Sequence, residues 1–111
     1  MVKAQRDPFA PVIKFESEIH DYGTISKGAD GSCEFMFTNI GKDPLIIDTI
    51  QSACACMVTS WPKKPIRKGK SGIIKVNYYT KRHGIINKEL IVKSNSGVGG
   101  TITLKLTGNV Q

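Results

Sequence analysis

Gly69-Lys70-Ser71-Gly72-Ile73-Ile74-Lys75-Val76-Asn77-Tyr78-Tyr79-Thr80 opens the stretch that decides the fold. Gly84-Ile85-Ile86-Asn87-Lys88-Glu89-Leu90-Ile91-Val92-Lys93-Ser94-Asn95 follows it, and then Gly99-Gly100-Thr101-Ile102-Thr103-Leu104-Lys105-Leu106-Thr107-Gly108-Asn109-Val110. These are three β-rich runs in succession, parted only by short polar links. Antiparallel strands accept such links, whereas parallel neighbours need a crossover of a dozen residues or more. The stretch therefore reads as an antiparallel meander in an all-β sandwich or barrel. Ile74, Val76 and Tyr78 share a face, as do Leu90 with Val92 and Ile102 with Leu104 and Leu106.

The same period of two extends towards the N-terminus. Cys33, Phe35 and Phe37 alternate with Glu34, Met36 and Thr38, which is the pattern of a half-buried strand with its aromatic face inward. Asn39-Ile40-Gly41-Lys42-Asp43-Pro44 closes that strand, and Leu45–Ile50 reads as the next. A short strand is expected through Cys54–Thr59, before Trp61-Pro62 and Lys64-Pro65 interrupt regular structure. Val12, Phe15 and Ile19 suggest an edge segment leading into His20–Ile25. No stretch holds a helical period over three turns. The sum is an all-β, immunoglobulin-like β-sandwich of about seven antiparallel strands over residues 12–111, preceded by a flexible lead-in over residues 1–11.

The chain has 111 residues, enough for one domain with its own core, and 40% hydrophobic content sets it apart from disordered chains. Its apolar runs are far too short for a membrane span. The opening residues show no apolar signal region, which leaves two readings: a cytosolic chain, or the mature segment of an exported one.

The net charge is +7. Lys63, Lys64, Arg67, Lys68 and Lys70 crowd one loop, and Lys81-Arg82-His83 form a second small group. Such patches attract anionic surfaces, including phosphate backbones and acidic glycans. Without an aromatic stacking platform beside the charges, nucleic acid is disfavoured, and solvated, edge-protecting charge is the simpler reading. Anionic glycan stays open as a partner.

Cys54-Ala55-Cys56 is the one chemically pointed motif. In an extended segment both sulfurs lie on one face, where two thiolates could hold copper or zinc. Zinc would need two more ligands, and Cys33, His20 and His83 have no recognised spacing to the pair. A disulfide would span Cα atoms roughly 6.5–7 Å apart, at the upper edge of good geometry. The plain alternative is small, packed side chains. No cysteine lies on Gly84–Asn95, so the intersheet bridge of antibody domains is not available. His20-Asp21 reads as a turn or edge pair and His83 as a solvated turn residue. Trp61 reads as a lid on the core or as an exposed contact residue. Gly69-Lys70-Ser71 lacks the first glycine of a phosphate-binding loop, and no nucleophile elbow occurs. No catalytic residue and no cofactor is expected.

The order His20-Asp21-Tyr22-Gly23-Thr24-Ile25, Phe35-x-Phe37-x-Asn39-x-Gly41, Pro44-Leu45-x-Ile47, Cys54-x-Cys56, Ile66-x-x-Gly69, Tyr78-x-Thr80, Gly84 and Lys88 through Asn95 resembles the bacterial domain-of-unknown-function family 1573. That family is found mostly in Bacteroidetes and is similar to Hydin-type and major-sperm-protein-type immunoglobulin-like domains. The resemblance covers roughly residues 13–110. It implies an immunoglobulin-like sandwich and export to the periplasm, the exterior or a lipid anchor. The family has no established activity, and its Hydin-like and sperm-protein-like relatives are used for protein contacts; with no catalytic constellation in the sequence, the expectation is a non-catalytic interaction or structural module, with another envelope protein as partner. The family's Cys-Gly-Cys stretch corresponds to Cys54-Ala55-Cys56, where Ala55 restricts a positive-φ kink and Met57 replaces a small polar residue. The residues expected to meet a partner are Trp61, Lys63, Lys64, Arg67 and Lys68. The alternative is a small metal-binding or thiol-redox protein centred on Cys54 and Cys56.

Overall fold

The computed structural model describes residues 9–52, 56–97 and 100–111, with only the backbone described at 56 and 57. Eight strands follow in order: β1 (Ile13–Phe15), β2 (Ile19–Ile25), β3 (Ser32–Asn39), β4 (Ile47–Ser52), β5 (Cys56–Ser60), β6 (Ser71–Tyr78), β7 (Gly84–Ser94) and β8 (Thr101–Val110). They form two four-stranded sheets, ordered β1-β3-β6-β5 and β2-β8-β7-β4. No helix occurs among the described residues.

Alternation builds the core. Cys33, Phe35 and Phe37 of β3 are buried, together with Ile74 and Val76 of β6. From the other sheet come Ile86, Leu90 and Val92 of β7, and Leu104, Leu106 and Val110 of β8. These residues form one continuous cluster between the sheets. Phe15 of the short edge strand closes it, its ring 5.6 Å from that of Phe37. Fully burying side chains of this size contributes about 1.5–3 kcal/mol each, so the inward positions of β3, β6, β7 and β8 carry most of the stability.

Two expectations need correction. The described residues form eight strands, in keeping with the approximate seven, but they are not all antiparallel, because β2 runs parallel to β8. The N-terminal edge segment splits in two at residues 16–18, so that β1 joins one sheet and β2 the other. Ser17 marks the break: its hydroxyl donates to the Ile19 carbonyl at 2.8 Å and accepts from the Ile19 amide at 3.2 Å, competing locally with the ladder. The expected three-strand meander is half right. β7 and β8 pair as an antiparallel hairpin, but β6 belongs to the opposite sheet and residues 79–83 cross between layers. Inward alternation looks the same for a strand beside its neighbour and for a strand across the core from it. The link is anchored rather than loose, since Thr80 is buried and its hydroxyl donates to the Ala29 carbonyl at 2.5 Å.

The expected strand over Leu45–Ile50 is offset. Leu45 is fully buried but makes only an isolated bridge with Ile66. Asn95 occupies the ladder's place at Ile46: its Oδ1 accepts from the Ile46 amide at 2.7 Å and its Nδ2 donates to the Pro44 carbonyl at 3.2 Å. Within the lead-in expected over residues 1–11, Phe9 and Pro11 accept hydrogen bonds from the amides of Asp43 and Gly97.

Candidate functional site

Chemistry-bearing residues gather at the two ends of the sandwich. At one end the strong basic loop, residues 61–70, is set by Asn39, the last residue of β3 and fully buried. Asn39 continues the inward series 33, 35, 37, where a polar side chain must find partners. Its Oδ1 accepts from the amides of Val12 (3.2 Å) and Gly41 (2.9 Å). Its Nδ2 donates to the carbonyls of Asp43 (2.8 Å) and Ile66 (2.9 Å). Its backbone amide donates to Lys70 and its carbonyl accepts from Gly69. Gly69 adopts φ 78°, the left-handed conformation that the turn from Arg67 to Lys70 requires.

On this frame Lys63, Lys64, Arg67, Lys68 and Lys70 are all exposed. Trp61 is half-buried and packs against the core, as a lid would. The Lys63 ammonium sits 3.2 Å from the Trp61 ring centroid, so this charge is already engaged by an indole face. The Trp61 Nε1 donor is buried without a hydrogen-bond partner.

β6, an eight-residue strand spanning about 25 Å, separates this loop from the other end. There the Tyr22 hydroxyl donates to the Gly31 carbonyl at 2.6 Å and lies 3.5 Å from the Cys33 sulfur. Burial pushes the Cys33 thiol above its ordinary range, the Tyr22 hydroxyl opposes this, and Glu34 adds to it. A raised, buried thiol is a poor nucleophile. His20 packs edge-on against Tyr22, and Asp21 accepts from the Gly23 amide at 2.8 Å. The His20-Asp21 pair is thus an edge and turn feature.

Beside them opens a cleft of about 340 Å³ lined by Tyr78, Tyr79, Arg82, His83, Gly84, Ile85 and Lys88. It lies where β6 leaves one sheet and β7 enters the other. Tyr79 is 55% exposed and Ile85 75%. Tyr79 thus places one exposed aromatic ring beside the weaker basic group, in a cleft that charge density alone did not point to. Sequence reading missed it because it weighed the larger basic run. The local signals were Tyr78-Tyr79 directly before Lys81-Arg82-His83, and the Ile85-Ile86 doublet, one member of which must face outward in a strand.

Cys54 lies outside the described residues. The backbone of Cys56 pairs with Tyr78, on the rim of the cleft and remote from the strong basic loop. Among the described residues no group of three or more His, Cys, Asp or Glu side chains is placed to hold a metal ion.

The two-sheet sandwich matches known structures. The family described as "Protein of unknown function (DUF1573)" matches residues 13–110, and the chain belongs to it. A protein of unknown function from Porphyromonas gingivalis W83 is similar at 15% identity and a TM-score of 0.80, covering 96% of this chain and 50% of that one. The ASH/PapD-like domain 7 of human CEP192 aligns at 11% identity and TM-score 0.75, covering 100% of this chain and 93% of that one. The periplasmic chaperone SfaE aligns at 11% identity and TM-score 0.56, over 89% and 57%. The secreted serine protease VesC of Vibrio cholerae aligns at 16% identity and TM-score 0.69 over 89% of this chain but 23% of its own length. The chain thus spans half the length of the Porphyromonas protein and under a quarter of VesC. No curated protein sequence matches it. At these identities the likeness establishes the PapD-like, immunoglobulin-like fold.

Proposed function

We propose that this domain is a non-catalytic protein-interaction module of the cell envelope. The observation that carries the reading is the site inventory. Among the described residues no three His, Cys, Asp or Glu side chains come together, and the close contacts of ionisable groups are structural: the Tyr22 hydroxyl lies 3.5 Å from the buried Cys33 sulfur, and Asp21 and Asp30 accept from the amides of Gly23 and Ser32 in local turns. Among the described residues one sheet ends in β1 and β5 and the other in β2 and β4, and such edge strands can accept a partner's strand. The PapD-like and chaperone relatives support the module reading through their architecture. Placement in the envelope rests on the family resemblance, and cell fractionation with an antibody to the native chain checks it.

The module reading is tested by photo-cross-linking in the native host, with a cross-linkable residue introduced singly at exposed positions around the whole surface. A discrete protein adduct from a confined set of positions is the expected result. A purified chain that turns over a substrate, with the turnover lost in one point variant, overturns it.

A further inference from the structure

β3 is longer than the edge strand beside it. β1 pairs only with its last three residues, Phe37 to Asn39, and the Glu16 amide adds one bond to the Met36 carbonyl at 3.0 Å. From Ser32 to Phe35, β3 has β6 on one side and no strand on the other among the described residues. The Met36 carbonyl points away from β6, towards Glu16. Alternate residues of a strand repeat that direction, so the Glu34 amide and carbonyl and the Ser32 carbonyl face the same open side. The described residues next to the undescribed segments lie elsewhere. Ser52 and Cys56 belong to β4 and β5, the edge strands farthest from β2 and β1 in the two sheets. The Phe9 carbonyl accepts from Asp43 and the Gly97 amide donates to Pro11, beyond the Asn39 end of β3.

This open side of β3 is one wall of a cleft of about 250 Å³ where the chain passes from β1 to β2. Its lining includes Ile19, Phe35 and Met36, the carboxylates of Glu16 and Glu34, and no lysine or arginine. The charge here is opposite in sign to that of the whole chain, +7. Ile19 is 55% exposed and Met36 38%, two of the large apolar side chains left in solvent. Across the cleft the Ile19 backbone is already engaged by the Ser17 hydroxyl, so the unmet backbone belongs to β3. Lys75 stands in register with Glu34 on the β6 side, which leaves Glu16 and the outer flank of Glu34 to an added strand.

We infer that the edge of β3 from Ser32 to Phe35 is a docking site for an extended basic peptide segment in which lysine or arginine alternates with apolar residues. The segment would run antiparallel to β3, in line with β1. Side chains directly opposite each other in such a pair share a face. The guest residues opposite Phe35 and Cys33 would therefore enter the mouth between the sheets beside Ile19, and these are the apolar ones. The residue opposite Glu34 would stand outward, its cation between Glu34 and Glu16. Charge complementarity and the unmet backbone together select this occupant. A second copy pairing through the same edge would bring Glu34 and Glu16 against their own counterparts, and like charges opposed across a ladder are destabilising. The proposal rests on the module reading and specifies its partner's chemistry.

The test is titration of the isotope-labelled full chain with an end-capped hexapeptide alternating Lys and Val, read by amide chemical shifts. The expected shifts map to residues 16–20 and 32–36, leave the 61–70 loop unmoved, and weaken as salt is raised. A glutamate-for-lysine version of the peptide should not bind, and the pair Glu16→Lys with Glu34→Lys should weaken binding by about tenfold or more. Glu16→Lys alone, on the exposed link between β1 and β2, reads the charge if the pair disturbs the fold. N-methylation of the peptide separates strand addition from charge. The lysine amides face β3 in this register, so methylating them should abolish binding, and methylating the valine amides should leave it. Absence of shifts, equal binding of the glutamate peptide, equal binding of the two methylated peptides, or shifts centred on Lys63–Lys70 would overturn the proposal. So would contacts of residues 1–8 with the Glu34 amide in the free chain, or broadening of that amide with protein concentration, which would give the edge to the chain itself or to a second copy. A native partner cross-linked only through the 61–70 loop would sink this site while leaving the module reading standing.

Discussion

The Asn39 side-chain amide donates to the Ile66 carbonyl at 2.9 Å, pinning the basic loop to the end of β3. The same side chain accepts from Val12 and Gly41 and donates to Asp43. Asn39→Ala would strand these backbone groups, several of them away from water. The expected loss is about 3 kcal/mol or more, read by urea unfolding. Asn39→Asp places a carboxylate oxygen where the amide donated to two carbonyls. Its folded pKa is then raised, so the variant is most stable below the unfolded aspartate value near 3.9 and weakens as pH rises through the folded one. A variant with a flat profile between acid and neutral pH would contradict this.

Gly31 marks a second close approach. A Cβ there would collide with the Tyr78 carbonyl oxygen and come within 2.9 Å of the Thr80 Cγ2. The Tyr78 amide donates to the Gly31 carbonyl at 2.9 Å, so the backbones cannot part without losing that bond. Gly31→Ala is expected to cost about 2–4 kcal/mol, measured as a lowered unfolding midpoint. An unchanged midpoint would mean that the turn before β3 moves freely.

Cys33 should resist alkylation at neutral pH in the folded chain and react once the chain is unfolded, because burial holds its thiol protonated. The linkage has a definite sign. With the folded pKa raised, Cys33 contributes stability that is full below the unfolded thiol value, about 8.5, and is lost as pH rises through the folded value. Cys33→Ala should therefore flatten the alkaline limb of the stability profile. Mass spectrometry of the native protein after iodoacetamide checks the first point, and rapid labelling of Cys33 would contradict it. The same digest, with elemental analysis, reports the state of Cys54 and Cys56.

Lys63 and Trp61 form the next testable pair. The ammonium 3.2 Å from the ring centroid sits at the surface, so its coupling should be modest, about 0.5–1 kcal/mol in a double-mutant cycle of Trp61→Leu with Lys63→Met. Trp61 is the chain's one tryptophan, so Lys63→Met should also shift its fluorescence without unfolding the protein. A zero coupling energy would show that the loop does not hold this contact in solution.

The sandwich was legible because burial imposes a period of two, and Cys33–Phe37 and Ile102–Leu106 display it without interruption. Which sheet each strand joins was not legible. β6 and β7 each face the core, and nothing local distinguishes pairing side by side from facing across it, so residues 79–83 read as a hairpin link. The parallel β2–β8 contact was hidden for a related reason: its partners lie at opposite ends of the chain. At the candidate site the sequence displayed charge density, which pointed to Lys63–Lys70. It did not display concavity. The cleft arises only when the crossing from β6 to β7 brings Ile85 and Lys88 beside Tyr79. Asn39 was readable in principle, as a polar residue at the next inward position after Phe37, but its turn-like neighbours masked it.

Amide hydrogen exchange of the isolated chain tests the central claim, that two β layers close on one core and leave contacts with partners to the surface. Amides of Leu90 to Val92, which β4 and β8 enclose, should exchange about a hundredfold or more slower than those of Lys63, Lys64 and Lys68 on the exposed loop. Equal exchange in the two groups would show that the sheets do not hold that core, and the account would fail.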